Sequence, residues 1–225
     1  TLCLNSIKES IAYAQKERAF DYEMLVVNDH SDEGFRETVL DLFKDLKMVD
    51  SDGTGPGYAR NLGIKNTEGE YIFFTDSDCV VAEDWILEGI KVLEESKALV
   101  VQGIPWLFQQ NENPYMGDQE QKLYEIMFST YLYDTNKTKM TDSRNLLMNR
   151  DITKVLGDEV FAEKMAKATA ESRVFGNRCL DKGIEIIFDK DLCIYHEDSK
   201  NIEAVCKQKY RHGSGRIMIW KETPT

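Results

Sequence analysis

Strand-like and helix-like segments alternate through the first half of the chain, and this order limits the fold more than any other feature of the sequence. Apolar, β-branched and aromatic runs typical of buried strands occur at residues 22–28, 48–49, 71–75 and 98–102. Helical spacing of apolar residues occurs at 1–16, 35–46, 58–66 and 85–95. The alternation predicts an α/β fold with a mostly parallel central sheet flanked by helices.

Two of the predicted strands end in carboxylates. The strand at 71–75 runs into Asp76-Ser77-Asp78, and an earlier strand runs into Asp29. Ligands of such sheets bind beyond the carboxyl ends of the strands, so we expect these side chains to share one crevice. Oxygen ligands at this spacing suit Mg²⁺ or Mn²⁺, with a phosphorylated ligand completing the shell. The alternative is a solvated turn with helix-capping aspartates, because Asp84 begins a helix.

Composition narrows the classes of partner. The 225 residues suit one domain, and a net charge of −12 argues against a nucleic-acid binder. Recognition of phosphate must then come from a few local Arg and Lys residues and a metal. The five cysteines are scattered without a Cys-x-x-Cys pair, which favours free thiols in a reducing cytoplasm. No run approaches the ~18 apolar residues of a membrane span.

The second half of the chain is less regular. Helices are predicted at 120–133 and within 160–182, and strands at 184–188 and 192–195. An aromatic stripe, Tyr124, Phe128 and Tyr131, is interpreted as core, with contact to an acceptor substrate as the alternative.

Three motifs in order resemble family 2 glycosyltransferases, which have the nucleotide-sugar-binding GT-A fold. They are Val-Val-Asn-Asp-His-Ser-Asp at 26–32, Gly-Tyr-Ala-Arg-Asn-Leu-Gly at 57–63, and the segment 68–78 that ends in Asp-Ser-Asp. Looser similarity to the same family continues at residues 143–148, 157–161, 171–173, 178–183, 193–197 and 210–215. The resemblance implies a metal-dependent, inverting transferase that uses a nucleotide-diphosphate sugar, a UDP-hexose, and a glycan, lipid-linked or protein-linked acceptor.

The resemblance also implies roles for single residues around the metal. Asp78 would coordinate Mn²⁺ or Mg²⁺ directly, and Asp76 would hold the ribose or a metal-bound water. His196 is the candidate third ligand, since neutral imidazole can join two carboxylates. The alternative for His196 is a structural role, as a capping or core histidine.

Further residues are implied for the two substrates. Asp29 would accept hydrogen bonds from the nucleobase or ribose, Arg60 would contact the base or phosphates, and Arg211 would close over the diphosphate. Asn145 lies in the acceptor-side segment. For Asp29, Arg60 and Arg211 the alternative is a turn or surface role without a ligand.

The catalytic base is where the chain departs from the family. Inversion needs a carboxylate that deprotonates the acceptor hydroxyl, and the family places an Asp where this chain has Ser172. Glu171 is the candidate base, with Asp158 or Asp142 as substitutes. Loss of activity is the remaining alternative.

We expect one domain over residues 1–225, with a nucleotide-sugar-binding half at 1–103 and an acceptor-binding half at 104–225. The resemblance also implies a first strand before residue 1, because the family begins with a strand, whereas this sequence begins in a predicted helix. The expected location is the cytoplasm or the inner face of the membrane, with peripheral contact through segments outside this sequence.

Two other functions compete with the transferase. A non-catalytic nucleotide-sugar-binding or scaffold protein on the same fold is suggested by Ser172. A haloacid dehalogenase-like phosphatase is suggested by the strand that leads into Asp76-Ser77-Asp78, although Val80 stands where those enzymes usually have Thr.

Overall fold

The helices and strands predicted for the first half form in that order, with one further short strand at residues 79–81. The computed structural model describes residues 2–53, 55–108, 122, 125–163, 171–197, 203, 206–207 and 210. Its helices are α1 (Leu2–Glu17), α2 (Phe35–Leu42), α3 (Pro56–Lys65), α4 (Trp85–Ser96), α5 (Ile152–Leu156) and α6 (Glu171–Asp181). Its strands are β1 (Leu25–Asn28), β2 (Lys47–Asp50), β3 (Tyr71–Phe74), β4 (Cys79–Val81), β5 (Val100–Phe108), β6 (Leu132–Asp134), β7 (Lys137–Thr138), β8 (Leu146–Asn149) and β9 (Ile186–Glu197).

Fewer of the strand pairs are parallel than the sequence predicts. The larger sheet has the order β3-β8-β5-β9-β7-β6, and β4 pairs with β9 outside this path. In the described residues only β1–β2 and β5–β9 are parallel, and the other pairs are antiparallel. The α/β class is confirmed, but strand direction differs because β8 inserts between β3 and β5 in the opposite sense.

Two predicted elements of the second half take other forms. The strands expected at 184–188 and 192–195 join as β9, which follows β5 with a shift in register between Gln102 and Ile104. The helix expected at 120–133 includes helical residues 125–130, but Leu132–Asp134 is a strand. A short turn lets this strand pair with β7, and such a turn is invisible to helical periodicity.

Strand β8 lies at the centre of the core because both faces of the sheet are covered. Alternate side chains of a strand point to opposite faces. Leu147 accordingly packs in one cluster with Trp85 of α4, whereas Leu146 packs in another with Phe161 and Phe175. All five of these hydrophobic side chains are almost fully buried.

The sheet brings the predicted site residues to one edge. β3 ends two residues before Asp76, and β4 begins at Cys79, which pairs with His196 on β9. A 3-10 turn over Ser143–Asn145 leads into β8 at the same edge. Among the helices in the described part of the chain, none combines the length and apolarity needed to span a bilayer.

Candidate active site

The turn between β3 and β4 separates the two carboxylates of the Asp-Ser-Asp motif. The backbone N–H of Cys79 donates to the carbonyl oxygen of Asp76 at 3.1 Å, which closes the turn. The thiol of Cys3 in α1 donates to the same oxygen at 3.4 Å. The side chain of Asp76 then contacts Arg60, and that of Asp78 contacts His196.

Asp78 and His196 form the first pair of the site. Their Oδ2 and Nε2 atoms are 3.3 Å apart, and the Asp78 side chain is 53% exposed. The hydrogen bond from His196 lowers the pKa of the Asp78 carboxyl, and this effect outweighs partial burial. Within the described residues, the buried Nδ1 atom of His196 has no hydrogen-bond partner. The pair therefore presents an ionised carboxylate and an imidazole at the open edge of the sheet.

This pair fits part of a divalent-metal site. The described residues contain no group of three His, Cys, Asp or Glu side chains arranged to hold an ion. Mg²⁺ sites often use only one or two carboxylates together with substrate phosphates, so a complete protein cage is not required. Asp78 and His196 supply the donor atoms that suit Mn²⁺ or Mg²⁺. The carboxylate of Asp76 contacts the guanidinium group of Arg60, and its role at the metal, a metal-bound water or the ribose stays a prediction.

Arg60 joins two carboxylates from distant parts of the chain. Its Nη2 atom donates to Asp76 at 2.9 Å and its Nη1 atom donates to Glu171 at 2.8 Å. The guanidinium lies over the ring of Phe161 at 5.8 Å, and only 12% of the Arg60 side chain is exposed. The next residue, Asn61, hydrogen-bonds both the N–H and the C=O of Phe161 at 2.9 Å, which fixes α3 against this segment.

Glu171 is the first residue of α6 and lies beneath the surface. Its side chain is 6% exposed, and its Oε1 atom accepts from Arg60 and, at 3.4 Å, from the Ser143 hydroxyl. Its buried Oε2 atom has no hydrogen-bond partner in the part of the chain that the structure describes. One oxygen is thus held in position while the other retains its capacity to accept a proton.

Asp142 and Ser172 flank this carboxylate. Asp142 is bound by Arg144 through Nε at 2.9 Å and Nη2 at 2.6 Å. Burial raises the pKa of the Asp142 carboxyl, but the Arg144 charge and hydrogen bonds outweigh it, and the net pKa is lowered. The carbonyl of Ser172 accepts a hydrogen bond from the Thr141 hydroxyl. The charged form of Asp142 is therefore stabilised by its arginine partner.

Asp29 connects the end of β1 to the start of α3. Its Oδ2 atom accepts from the backbone N–H of Gly55 at 3.3 Å, and its Oδ1 atom lies 3.0 Å from Nδ1 of His30. Gly55 has φ of 93°, a backbone conformation that favours glycine. The carboxylate is one-third exposed at the strand end, where the sequence predicts it. Its nucleotide-binding role stays a prediction.

Asn145, which the resemblance places in the acceptor-side segment, lies inside the core, and its acceptor-side role stays a prediction. It is fully buried, and its Oδ1 atom accepts from Nε1 of Trp85 at 2.9 Å. Its Nδ2 atom donates to the carbonyls of Ile104 and Leu192 at 3.2 and 2.8 Å. The side-chain amide of Asn145 makes these hydrogen bonds inside the core, where it links α4 to β5 and β9. Arg211 lies outside the described residues.

Sequence reasoning missed two side chains that position the others. Ser143 and Thr141 attach the segment before β8 to the first turn of α6. The motif at 143–148 contains Ser143, but the family resemblance of this motif points to Asn145. No periodic signal marks Thr141, since its importance depends on a contact across 31 residues.

Comparison with known proteins agrees with the fold. The model of the family described as glycosyl transferase family 2 matches residues 2–157. The glycosyltransferase AglE of Haloferax volcanii is 22% identical over 97% of this chain and 68% of its own length.

Solved structures show the same fold at low sequence identity. TarS of S. aureus in complex with UDP-GlcNAc aligns with a TM-score of 0.61 at 18% identity, over 90% of this chain and 56% of that one. GalNAc-T7 with UDP, GalNAc and Mn²⁺ aligns with a TM-score of 0.58 at 13% identity, over 78% of this chain and 38% of that one. The chain thus spans little more than half, or less, of these structures.

Proposed function

Because the chain belongs to glycosyl transferase family 2 and has the GT-A fold, we propose that it transfers a hexose from a nucleotide-diphosphate sugar to an acceptor hydroxyl. The observation that carries the proposal is the linkage of Asp76, Arg60 and Glu171, beside the Asp78–His196 pair, at one edge of the sheet. UDP-sugar is the proposed donor, and the UDP-containing structural neighbours support this choice.

The donor would bind at the first half of the chain, residues 1–103. Asp29 would accept hydrogen bonds from the base or ribose, and Asp76 from the ribose. Arg60 would contact the diphosphate or hold Asp76 in place, with Arg211 as a further phosphate contact. The half-exposed carboxylate of Asp78 and the adjacent His196 would hold Mn²⁺ or Mg²⁺. A bound divalent ion neutralises the charge that develops on a diphosphate leaving group.

Glu171 is the proposed base. Its Oε2 atom would take the proton of the acceptor hydroxyl as the oxygen attacks the anomeric carbon opposite the diphosphate. Arg60 and Ser143 hold Oε1, so the carboxylate is oriented before the acceptor arrives. The acceptor would approach from the half at 104–225, and a glycan or lipid-linked acceptor is proposed. The free cysteines support a reducing cytoplasmic location, and the inner membrane face remains part of the proposal.

The test has a binding arm and a turnover arm. Calorimetric titration with UDP and Mn²⁺ should show binding that Asp78→Ala abolishes and that Asp45→Ala, which removes an exposed carboxylate outside the proposed site, retains. Turnover of a UDP-sugar should fall about 10²- to 10⁴-fold in Glu171→Gln, while UDP affinity stays unchanged. If the affinity for UDP changes neither on addition of Mn²⁺ nor in Asp78→Ala, the result would contradict the proposed donor site. Undiminished turnover in Glu171→Gln would exclude this residue as base.

A non-catalytic binding protein is the second candidate, and Ser172 at the start of α6 favours it because serine is not a base at neutral pH. Release of UDP from a UDP-sugar in the presence of Mn²⁺ would exclude it. The phosphatase alternative has lost its support, because the family match and the fold are those of glycosyltransferases.

A further inference from the structure

Gln102 is a fully buried polar residue of β5 and lies outside the proposed donor, metal and base positions. Its exposed fraction is 0%, and its strand runs between β8 and β9 in the middle of the sheet. Burial of an amide without hydrogen bonds costs about 1–3 kcal/mol, so a residue of this kind needs partners. The hydrogen bonds that its side chain makes within the described residues go to backbone groups next to the candidate active site.

An irregularity of the sheet directly follows Gln102. The pairing of β5 with β9 shifts there, so that the single residue Gly103 lies opposite residues 189–192. Bulges of this kind leave backbone groups without ladder partners and redirect side chains, and they are frequent next to active sites. A methyl group on Gly103 would lie 2.3 Å from Nδ2 of Asn145 and 2.5 Å from the carbonyl oxygen of Leu192. Glycine therefore allows the close approach of these groups to the bulge.

The side-chain amide of Gln102 binds both ends of the 142–145 turn, which is the 3-10 turn before β8 together with its capping residue Asp142. The Oε1 atom of Gln102 accepts from the backbone N–H of Asp142 at 2.7 Å, and Nε2 donates to the carbonyl of Asn145 at 3.0 Å. The same nitrogen donates to the carbonyls of Asp142 at 3.3 Å and Gly103 at 2.7 Å. One planar amide thus ties the first and last residues of the turn to the bulge of β5.

The 142–145 turn carries a residue that contacts the proposed base. The Ser143 hydroxyl donates to Oε1 of Glu171 at 3.4 Å, and both residues are only 5% exposed. The backbone N–H of Asn145 donates to the carbonyl of Asp142 at 3.2 Å, so Ser143 lies within a closed turn. Because Gln102 holds both ends of this turn, a shift of its amide moves Ser143 as well. The link from Gln102 to Glu171 therefore runs through the turn and the Ser143 hydroxyl.

We propose that Gln102 is a positioning residue of the transfer reaction, which places Ser143 against Glu171 through the 142–145 turn. The inference rests on the proposed function, in which Oε2 of Glu171 takes the proton of the acceptor hydroxyl. Arg60 and Ser143 both bind Oε1, so the direction of Oε2 depends on where the turn places Ser143. A misplacement of about 1 Å can lower the rate of an enzyme about 10²-fold, so the support behind a base affects catalysis.

The alternative is a purely structural role, in which the amide of Gln102 only satisfies backbone groups at the bulge. Both roles predict a lower free energy of unfolding when the amide is removed. They differ in the expected effect on kcat, which a purely structural role leaves unchanged once the variant is folded. Ser10 of α1 supplies a matched control, because it is also 0% exposed and its hydroxyl accepts from the backbone N–H of Ile86, outside the proposed site.

The test measures release of UDP from a UDP-sugar in the presence of Mn²⁺, with water as the acceptor. The probe is whichever of UDP-glucose, UDP-galactose, UDP-GlcNAc and UDP-GalNAc the wild-type protein turns over fastest. Gln102→Met keeps a similar volume without the amide, and it should lower kcat about 10- to 100-fold while KM for the donor stays within about twofold. Ser10→Ala should leave kcat within about twofold of wild type. Gln102→Asn, which is too short to reach both ends of the turn, should also lower kcat and replaces Gln102→Met if that variant does not fold.

A double-variant cycle tests whether the effect passes through Ser143. Ser143→Ala should slow the wild-type protein about 3- to 10-fold, in line with the loss of one hydrogen bond. In the Gln102→Met background the same change should have less than about a twofold further effect, because the turn has already moved.

Other results overturn the proposal. These are an unchanged kcat in the Gln102 variants, an equal loss of kcat in Ser10→Ala, or full multiplication of the Gln102 and Ser143 effects. If the wild-type protein binds UDP but does not release it from any of the sugars, the proposed function fails. The link between Gln102 and the turn is then measured by hydrogen exchange: the backbone N–H of Asn145 should exchange faster in Gln102→Met and at the wild-type rate in Ser10→Ala, and unchanged protection in Gln102→Met would overturn the link.

Discussion

Arg60 and Glu171 are 111 residues apart in the sequence, and their side chains meet at 2.8 Å in a nearly buried ion pair. The pair connects α3, on the proposed donor side, to α6, on the proposed acceptor side. Because Arg60 also binds Asp76, one guanidinium holds a carboxylate from each half of the site. Such a pair is weak evidence for net stability, but removal of one partner leaves an uncompensated buried charge.

Arg60→Ala should therefore destabilise the protein by about 3–5 kcal/mol, because Glu171 loses its cation. Glu171→Gln alone should have a smaller effect on the free energy of unfolding, since the amide still accepts a hydrogen bond. Urea unfolding of both single variants and the double variant gives the coupling energy, expected between about 0.5 and 3 kcal/mol. Additive effects within about 0.3 kcal/mol would show that the two side chains do not interact in solution.

Asn145→Ala should lower the free energy of unfolding by about 2–4 kcal/mol. The change leaves the buried indole N–H of Trp85 and two backbone carbonyls without their partner. Chemical unfolding monitored by tryptophan fluorescence measures the effect. Asn136→Ala, in the exposed turn between β6 and β7, is the control and should stay within about 0.5 kcal/mol. Normal stability with impaired use of an acceptor would instead favour the role expected from the sequence.

The Asp142–Arg144 pair should make stability depend on pH in the acid range. The folded-state pKa of Asp142 is lowered, so its contribution is present above the unfolded value of about 3.9 and is lost as pH falls through the folded value. The difference in free energy of unfolding between wild type and Asp142→Asn should therefore shrink as pH falls from about 5 to below 3. A difference that stays constant over this range would contradict the pKa shift. Asp45→Asn, which makes the same change on the exposed surface, is the matched control variant.

Thiol reactivity should divide the cysteines into two groups. Cys3, Cys79 and Cys179 are buried, and burial raises the pKa of Cys3 to about 11 and of Cys179 to about 12. An aromatic disulfide reagent should modify Cys206 rapidly, Cys193 slowly, and the buried three only after unfolding, because the thiolate is the reactive form. Cys206→Ser should remove the fast phase. Rapid modification of all five thiols in native buffer would show that the core opens readily.

The carboxylates at the ends of the strands show how much of the site can be predicted from local sequence. Asp29 and Asp76 each follow a strand rich in β-branched or aromatic residues, and such strands are recognisable without any tertiary information. The sequence also singled out Asp78 and His196, which lie 3.3 Å apart. It could not show that Asp76 turns towards Arg60, because side-chain direction within a turn depends on the neighbours that the fold supplies.

The direction of the strands and the burial of Asn145 could not be predicted from local sequence patterns, for the same reason. The short apolar run at residues 146–148 carries no information on whether β8 runs with or against β3 and β5. The burial of Asn145 results from the approach of Trp85 and Leu192, which are distant in the sequence.

The sequence by itself determined the α/β class, the family and the strand-end carboxylates, since these depend on short motifs and on the order of local elements. Only the tertiary structure decided which groups share a partner: Asp76 with Arg60, Glu171 with Ser143, and Arg173 with Tyr131. Hydrogen bonds and ion pairs act over a few ångströms in space. The partners in these pairs are separated by 16 to 42 residues along the chain, so folding had to bring them together.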